Sequence, residues 1–482
     1  MKYIQKMLIL SVLVAIASIT AAAQPSAAQA AALKYAGEIA GYVTSGSRTD
    51  YKKFVEANFG GDFVKMPMAR HTGFMSMMHD QSRGFELGEV EEWKENEVTV
   101  RVRHKLTGEW DALLVRVENT PPYKITGIGL RPVKDAPAVA QSLSTQAVAR
   151  ELEAFVKRLA DADVFSGAVV LAKDGQVVYK GAFGAANKDF DVPNRFDTKF
   201  NLGSMNKMFT GLAIAQLVEK GKISYDDRLS KFIPDFPNAE AAKKIQIKHL
   251  LTHTSGLGGY FSERYDSTSR ARIRTVDDMM DLARQDEKDV RFEPGSKSQY
   301  SNTGMMVLGK VIEVASGQSY FDYVRDNIYR PAGMTNTDSY ELDKVNANLA
   351  VGYDKQFTDA GIVWGNNIFA HVMRGGPQGG GYSTVDDLLK FDQALRSGKL
   401  ISPAGLKLLT SAKPELNSPN YGFGFSIDTA RNIVGHSGGF PGISSNLDMY
   451  LGSGWTAIVM SNYSRGSGPI SQKMGRLIAA SK

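Results

Sequence analysis

The pattern of apolar and polar residues predicts a small domain at the start of the chain and a larger one after it. Helical spacing of apolar residues covers 49–59 and 67–79. Strand-like stretches separated by turn residues follow at 85–93, 97–106, 110–118 and 123–130. Helices followed by an antiparallel sheet predict a small α+β domain over 33–133. The alanine-rich stretch that comes next, 134–144, predicts a linker.

The longer part of the chain, 145–482, predicts a single antiparallel sheet built from both of its ends. A helix is predicted at 145–160, and Asp174-Gly175 between two apolar stretches is a strong signal for a β-hairpin. The middle, about 225–400, is predicted to be mostly helical with glycine-rich loops. Late strands and a last helix are predicted at 421–428, 432–435, 445–451, 455–461 and 470–480. We therefore predict an α+β fold in which helices flank the sheet and a mostly helical insert lies to one side.

The composition fits a soluble, two-domain globular protein and excludes several kinds of chemistry. The 482 residues exceed an ordinary single domain, and 43% of them are hydrophobic and 22% charged. There is no cysteine, so a thiol nucleophile, a thiolate metal site and disulfides are excluded. The net charge of +6 is small and no dense basic run occurs, so no nucleic-acid partner is predicted. The seven histidines lack metal-ligand spacing, and no metal or other cofactor is predicted.

The start of the chain is typical of a bacterial secretory signal peptide. Lys2 and Lys6 precede an apolar run at 7–19, and three alanines after it offer a cleavage site. The run is short for a membrane anchor, which is the alternative interpretation. We therefore predict a cleaved signal over 1–23, a periplasmic or secreted location and no stable membrane anchor. Small residues at 28–30 leave the exact cleavage site open.

Candidate chemistry begins with Ser204-Met205-Asn206-Lys207, at the start of a helical stretch predicted over 205–221. A serine hydroxyl becomes an effective nucleophile when a base takes its proton. Lys207 follows Ser204 by one turn and lies on the same helix face, where burial would lower its pKa and let it accept the proton or hold a neighbouring base ionised. A capping serine followed by a solvated lysine produces the same pattern, so the motif alone does not establish a site.

Tyr300-Ser301-Asn302 is the second candidate motif. A phenol held near a lysine is expected to ionise below its ordinary pKa of about 10 and to act as general base, then as acid. Asn302 would bind the lysine or a substrate amide. The alternative is a buried tyrosine at a helix start that is capped by Ser301 or Asn302.

His436-Ser437-Gly438-Gly439 is the third candidate motif and lies between two predicted late strands. Its glycines let the backbone approach a substrate closely, and the N–H groups of Gly439 and Ser204 would form an oxyanion hole. His436 would supply a hydrogen bond or a partial positive charge. The stretch also matches Gly-x-Ser-x-Gly with Ser437 as nucleophile, but that arrangement needs a later histidine and none follows His436.

Taken together, the three motifs resemble those of the penicillin-recognising serine hydrolases, a family of class C β-lactamases, D,D-peptidases, D-aminopeptidases and β-lactamase-like esterases. The order Ser204, Tyr300, His436 fits that family, and supporting segments are similar as well. These segments are HTSGL at 253–257, PAGM at 331–334 and GGYST at 380–384. The resemblance covers about 145–480. In the N-terminal domain only the order of helices and strands resembles the cone-shaped nuclear-transport-factor-2-like folds.

The resemblance implies an acyl-enzyme mechanism with Ser204 as the nucleophile. Lys207 would assist deprotonation of the serine, and Tyr300 would be the general base and then the acid. The backbone N–H groups of Ser204 and Gly439 would bind the oxyanion. The substrate-binding residues that the resemblance implies are Asn302, His436, Ser437 and Gly438.

One position departs from the family pattern and changes the expected substrate. Most β-lactamases and D,D-peptidases begin the last motif with a lysine that attracts a substrate carboxylate, whereas this chain has His436. We therefore expect an exported esterase or peptidase acting on a small ester, amide or peptide-like compound. The alternatives are a true β-lactamase or D,D-carboxypeptidase, and a catalytically silent binding or regulatory protein on the same scaffold. The oligomeric state and the role of the N-terminal domain stay open.

Overall fold

The computed structural model of this protein describes residues 24–133, 142–283 and 290–481. The chain divides into two units, Met1–Pro137 and Ala138–Lys482. The predicted signal peptide and most of the predicted linker lie outside the described residues. Within the described ranges, no helix combines the length and the apolar character needed to cross a membrane.

Three helices form one side of the core of the first unit. They are α1 (Ala27–Ser45), α2 (Arg48–Asn58) and α3 (Met68–Ser82), with a 3₁₀ turn at Phe63–Lys65 before α3. The apolar pattern gives little signal for α1, because alanines make up much of its buried face. Ser26 and Gln29 form a capping box at its N-terminus, so this helix begins before the predicted domain start at residue 33.

A four-stranded antiparallel sheet packs against these helices. Its strands pair in chain order and are β1 (Phe85–Lys94), β2 (Glu97–His104), β3 (Trp110–Val117) and β4 (Ile125–Pro132). Val98, Val100 and Val102 alternate along β2 and are buried in the same core as α1. On the other face Arg116 pairs with Glu97 at 2.6 Å. The order of helices and strands agrees with the prediction, and the resemblance to a nuclear-transport-factor-2-like cone stays a prediction.

The strands of the second unit include two at its beginning that join strands from its end. In chain order they are β5 (Gly167–Lys173), β6 (Gln176–Phe183), β7 (Ala185–Asn187), β8 (Val192–Pro193), β9 (Phe200–Asn201), β10 (Tyr353–Thr358), β11 (Gly361–Asn366), β12 (Tyr382–Ser383), β13 (Ser426–Asp428), β14 (Ile433–Phe440), β15 (Ile443–Tyr450) and β16 (Trp455–Ser461). Six of them form an antiparallel sheet in the order β13-β14-β15-β16-β5-β6. The predicted sheet built from both ends is therefore confirmed. Asp174 and Gly175 turn the β5–β6 hairpin with φ of 50° and 78°, the two positive values of a type I′ turn.

Helices cover the sheet and form most of the insert between β6 and β13. They are α4 (Thr145–Asp161), α5 (Lys207–Glu219), α6 (Ala239–Lys244), α7 (Ile247–Leu251), α8 (Glu263–Ser267), α9 (Val276–Ala283), α10 (Asn302–Ser316), α11 (Tyr320–Val324), α12 (Arg330–Ala332), α13 (Val385–Arg396), α14 (Pro403–Leu409) and α15 (Ser467–Ala479). Short 3₁₀ turns lie at Gly203–Asn206, Leu229–Lys231, Arg270–Arg272 and Pro414–Leu416, and a π-helical turn lies at Arg325–Tyr329. The insert also contains the β10–β11 hairpin, which the sequence pattern does not predict because both strands lack a clear buried face. Helix α5 is buried along nearly its whole length and places Lys207 of the first candidate motif in the core.

Candidate active site

Ser204 and Lys207 are brought together by a 3₁₀ turn that runs directly into helix α5. The turn covers Gly203–Asn206, and α5 begins at Lys207. In 3₁₀ geometry side chains three residues apart lie above one another, and Nζ of Lys207 is 3.0 Å from Oγ of Ser204. The two side chains therefore meet as predicted, although the serine precedes the α-helix instead of opening it.

Lys207 is fully buried, and this disfavours its ammonium form. Met208 and Phe209, which follow it on α5, are apolar and buried in the same core. Because burial removes the charged form from water, it lowers the pKa of Lys207 well below the ordinary value of 10.5. A neutral lysine amine at this distance is able to accept the proton of Ser204.

A backbone carbonyl fixes the amine of Lys207 from the opposite side. Nζ donates a hydrogen bond to the carbonyl oxygen of Gln378. The loop that carries this carbonyl is held by α5 and its preceding turn, because Nδ2 of Asn206 donates to Gly376 O at 2.7 Å and Oγ1 of Thr210 donates to Pro377 O at 2.7 Å. Every residue type has a backbone carbonyl that is able to accept a hydrogen bond, so the sequence motifs do not identify Gln378 as a partner of Lys207.

Tyr300 reaches the hydroxyl of Ser204 from another element. Its phenol lies just before α10 and shares a hydrogen bond with Ser204, and Nζ of Lys207 is 4.8 Å from its ring centroid. Burial of the phenol raises its pKa to about 12 and outweighs the hydrogen bond to Ser204, which lowers the pKa. The phenol is buried although the whole residue is 47% exposed. The expected lowering of this pKa is wrong, because the neutral Lys207 supplies no positive charge to stabilise a phenolate.

Two further rings support Tyr300. The ring of His253 contacts those of Tyr300 and Tyr421, with centroid separations of 4.4 Å and 4.5 Å. The backbone N–H of Ser301 donates to Nδ1 of His253 at 3.2 Å, so the neutral imidazole carries its proton on Nε2. His253 holds a left-handed φ of 60°. The HTSGL segment contains this histidine, but its spacing gives no sign that the ring packs against Tyr300.

His436 is buried and neutral. The hydroxyl of Tyr421 lies 2.9 Å from its Nε2, and the carbonyl oxygen of Ser437 lies 2.5 Å from its Nδ1. Burial lowers the pKa of His436 to about 3. The third motif therefore places no positive charge beside Ser204 near neutral pH.

The third motif lies inside strand β14, whereas its glycines predict a loop between two strands. Close approach of this strand to the turn that carries Ser204 explains the glycines. A Cβ on Gly438 would lie 2.0 Å from the carbonyl oxygen of Leu202, and one on Gly203 would lie 3.0 Å from Gly438 Cα. The approach brings the backbones of Ser204 and Gly439 to one cleft, where their N–H groups are candidates for an oxyanion hole.

The cleft beside Ser204 has a volume of about 590 Å³, including the open space at its mouth. Of the other predicted residues, Asn302 and Gly439 line it, whereas the exposed Ser437 and the buried Gly438 do not. The remaining walls are formed by Asn201, Gly203, Tyr260, Phe261, Tyr265, His371, Val372, Gln378, Gly379, Gly380, Phe440 and Ile443. None of these lining residues is an aspartate, glutamate, lysine or arginine.

Comparison with known proteins identifies a family and several relatives. The Beta-lactamase family model matches residues 151–480. Penicillin-binding protein 4* of Bacillus subtilis (strain 168) is 32% identical over 327 residues, which are 65% of this chain and 71% of that protein. Esterase EstB of Burkholderia gladioli is 28% identical over 373 residues, which are 68% of this chain and 94% of that protein.

A solved structure supports the same relationship at the level of the fold. The crystal structure of a penicillin-binding protein from Bacillus halodurans superposes with a TM-score of 0.60 and 28% sequence identity. The superposition covers 67% of this chain and 98% of that one. The fold, the family match and the geometry around Ser204 therefore agree with one another.

Proposed function

This chain belongs to the β-lactamase family and is a serine hydrolase, and from that premise we propose that it hydrolyses its substrate through a covalent acyl-enzyme on Ser204. One observation carries the proposal. Oγ of Ser204 lies 3.0 Å from Nζ of the buried Lys207 and is also hydrogen-bonded to the phenol of Tyr300. A base and an acid thus contact the same hydroxyl, which is the arrangement that an activated serine requires.

The first step transfers the serine proton to the lysine. The neutral amine of Lys207 takes the hydroxyl proton while Oγ of Ser204 attacks the substrate carbonyl carbon. The carbonyl π bond opens to give a tetrahedral oxyanion, which the backbone N–H groups of Ser204 and Gly439 stabilise. This scheme gives Lys207 the role of base, because the pKa of Tyr300, raised to about 12 by burial, keeps its phenol protonated.

The second step expels the leaving group. The phenol of Tyr300 donates its proton to the leaving oxygen or nitrogen as the bond to carbon breaks, and the oxyanion collapses to an ester on Ser204. The ammonium of Lys207, whose nitrogen is 4.8 Å from the phenol ring centroid, then returns a proton to the phenolate. Both groups are again neutral. Deacylation runs these steps in reverse. A proton passes from the phenol of Tyr300 to Lys207, and the phenolate takes a proton from water as the water oxygen attacks the ester carbon. The ammonium of Lys207 then returns its proton to Oγ of Ser204 as the acid leaves.

We infer that the substrate is a small ester, amide or peptide-like compound and favour an esterase or peptidase. The neutral His436 supports this choice, because it offers no charge to a substrate carboxylate. A β-lactamase or D,D-carboxypeptidase is the alternative within the family. The apolar run at 7–19 further supports a reaction in the periplasm or outside the cell.

Intact-mass spectrometry after treatment with a fluorophosphonate tests the proposal, with Ser204→Ala as the matched control. We expect one adduct in the wild-type protein, mapped to Ser204 and absent from the variant. Ester turnover should fall by at least about 10³-fold in Ser204→Ala and by about 10²–10⁴-fold in Tyr300→Phe. Unchanged labelling of Ser204→Ala would disprove the nucleophile. No labelling of either protein would favour a catalytically silent binding protein.

A further inference from the structure

An aromatic wall lines one side of the cleft beside Ser204. We use this name for Tyr260, Phe261, Tyr265 and Phe440, which all border the cleft. Phe261 stacks on Tyr260 with centroids 4.4 Å apart and meets Tyr265 edge-on at 5.1 Å. Phe440 stacks on Phe261, with ring planes within 20° of each other and centroids 5.8 Å apart. The wall thus joins the insert to strand β14, next to the oxyanion-hole residue Gly439.

The wall keeps apolar surface in contact with solvent. Phe261 is 51% exposed in spite of its three ring contacts. At the same mouth, the hydroxyl of Tyr265 donates to the carbonyl oxygen of Ala370 at 3.3 Å, next to Phe369, which is 87% exposed. Exposed apolar surface grouped around a cleft is typical of a site that an apolar ligand covers.

Among the described residues, those that line the cleft provide no charge with which to hold an ionised group. Its lining contains no acidic or basic side chain apart from His371, whose pKa burial lowers. The cation near the wall, Arg270, stacks on the ring of Tyr265 at 3.6 Å and donates to the backbone carbonyl of Thr268 at 2.6 Å. Bringing a carboxylate into such a cleft would remove it from water without a charged partner.

The position of Tyr300 decides which part of the substrate meets the wall. The leaving group must lie beside the phenol that protonates it. The ring of Tyr300 lies 6.5 Å from that of His436, whereas Phe440, four residues further along β14, stacks on Phe261 in the wall. The part of the substrate that stays on Ser204 therefore extends from the oxyanion hole towards the aromatic wall.

We propose that the cleft is an acyl pocket for uncharged, apolar acyl groups of medium length or with an aromatic ring, which pack against Phe261 and Phe440. This inference rests on the proposed acyl-enzyme function and adds the class of acyl group. Short acyl groups leave the wall exposed, and acyl groups with a carboxylate lose their hydration there. Each methylene buried against the wall should raise kcat/KM about three- to fourfold.

The test uses p-nitrophenyl acetate, butyrate and hexanoate with the full-length protein. We expect kcat/KM to rise with acyl length and the hexanoate-to-acetate ratio to fall about tenfold in Phe261→Ala and in Phe440→Ala. Phe190→Ala is the matched control, because Phe190 is 79% exposed and does not line the cleft. A phenylacetyl ester should be hydrolysed at least tenfold faster than its 4-carboxyphenylacetyl counterpart.

Two results would overturn the inference alone. One is fluorophosphonate labelling of Ser204 in a protein whose ester turnover is independent of acyl length. The other is a length dependence that survives both wall substitutions or that follows the alcohol instead of the acyl group. Absence of any labelling at Ser204 would overturn the proposed function and this inference with it. Circular dichroism of each variant shows whether a lost preference reflects the wall or unfolding.

Discussion

The hydroxyl of Tyr421 lies 2.9 Å from Nε2 of His436 and fixes the charge of the third motif. The carbonyl of Ser437 is able only to accept, so Nδ1 of His436 donates to it and Nε2 accepts from the tyrosine. The imidazole is then satisfied in its neutral form, and burial lowers its pKa to about 3. The active site that results holds a buried amine, a phenol and a neutral imidazole.

The first prediction concerns the pH dependence of kcat/KM. Activity requires neutral Lys207, whose pKa burial lowers well below 10.5. The rate should therefore rise with pH through the pKa of Lys207 and reach a plateau. It should decline only as the pH approaches the pKa of Tyr300, about 12, where the phenol can no longer donate a proton. Initial rates with a neutral ester between pH 4 and 10 measure the lower limb.

Titration of either Lys207 or His436 is able to produce this rise in rate with pH, and the substitution His436→Gln distinguishes between them. If Lys207 controls it, the substitution changes the plateau rate and leaves the midpoint of the limb in place. A midpoint that disappears with the imidazole would contradict the assignment of Lys207 as the base.

The second prediction is that Lys207→Met abolishes activity and stabilises the protein. The folded state holds Lys207 neutral, whereas the unfolded chain protonates it below its ordinary pKa of 10.5. The free energy of unfolding therefore falls as the pH drops from 10.5 to the lowered folded pKa, and an apolar side chain removes this loss. We expect a melting temperature several degrees higher near pH 7. Lys399→Met, at an exposed position, serves as control and should change it little.

The third prediction is that His436→Lys increases acylation by carboxylate-bearing substrates. A lysine is longer than histidine and is able to extend its amine from β14 towards a bound carboxylate. We expect the second-order rate of Ser204 labelling by a fluorescent penicillin to increase about tenfold, equivalent to ~1.4 kcal/mol. His436→Gln, which adds no charge, should not show this increase. Equal labelling rates in His436→Lys and His436→Gln would show that the added charge does not cause the increase.

The fourth prediction concerns the close contact between β14 and the serine turn. A Cβ on Gly438 would lie 2.0 Å from Leu202 O, so Gly438→Ala must push the turn away from the strand. The N–H groups of Ser204 and Gly439 would then separate, and kcat should fall about 10²-fold, as when one oxyanion donor is lost. Gly439→Ala is the comparison, because its Cβ would meet no atom within 4 Å. A similar loss of kcat in Gly438→Ala and Gly439→Ala would contradict the expected separation of the two N–H groups.

Local patterns determined the parts of this protein that depend on neighbours in the chain. The spacing of Ser204 and Lys207 places both side chains on one face of a helical turn, whatever surrounds them. Asp174-Gly175 produces its hairpin for a similar reason, because both residues tolerate a positive φ. The order of strands and helices likewise made the shared sheet of the second unit predictable.

Only the tertiary structure decided which distant groups meet and which charge each carries. Gln378 contributes a backbone carbonyl and His253 a supporting ring, and neither role follows from residue type. Helix α1 was hidden because its buried face is largely alanine, and the second half of β14 because its glycines resemble a loop. The pKa of Tyr300 moved opposite to expectation, since it depends on desolvation and on the state of a neighbouring lysine. Burial and long-range contacts set these properties, and a linear pattern does not contain them.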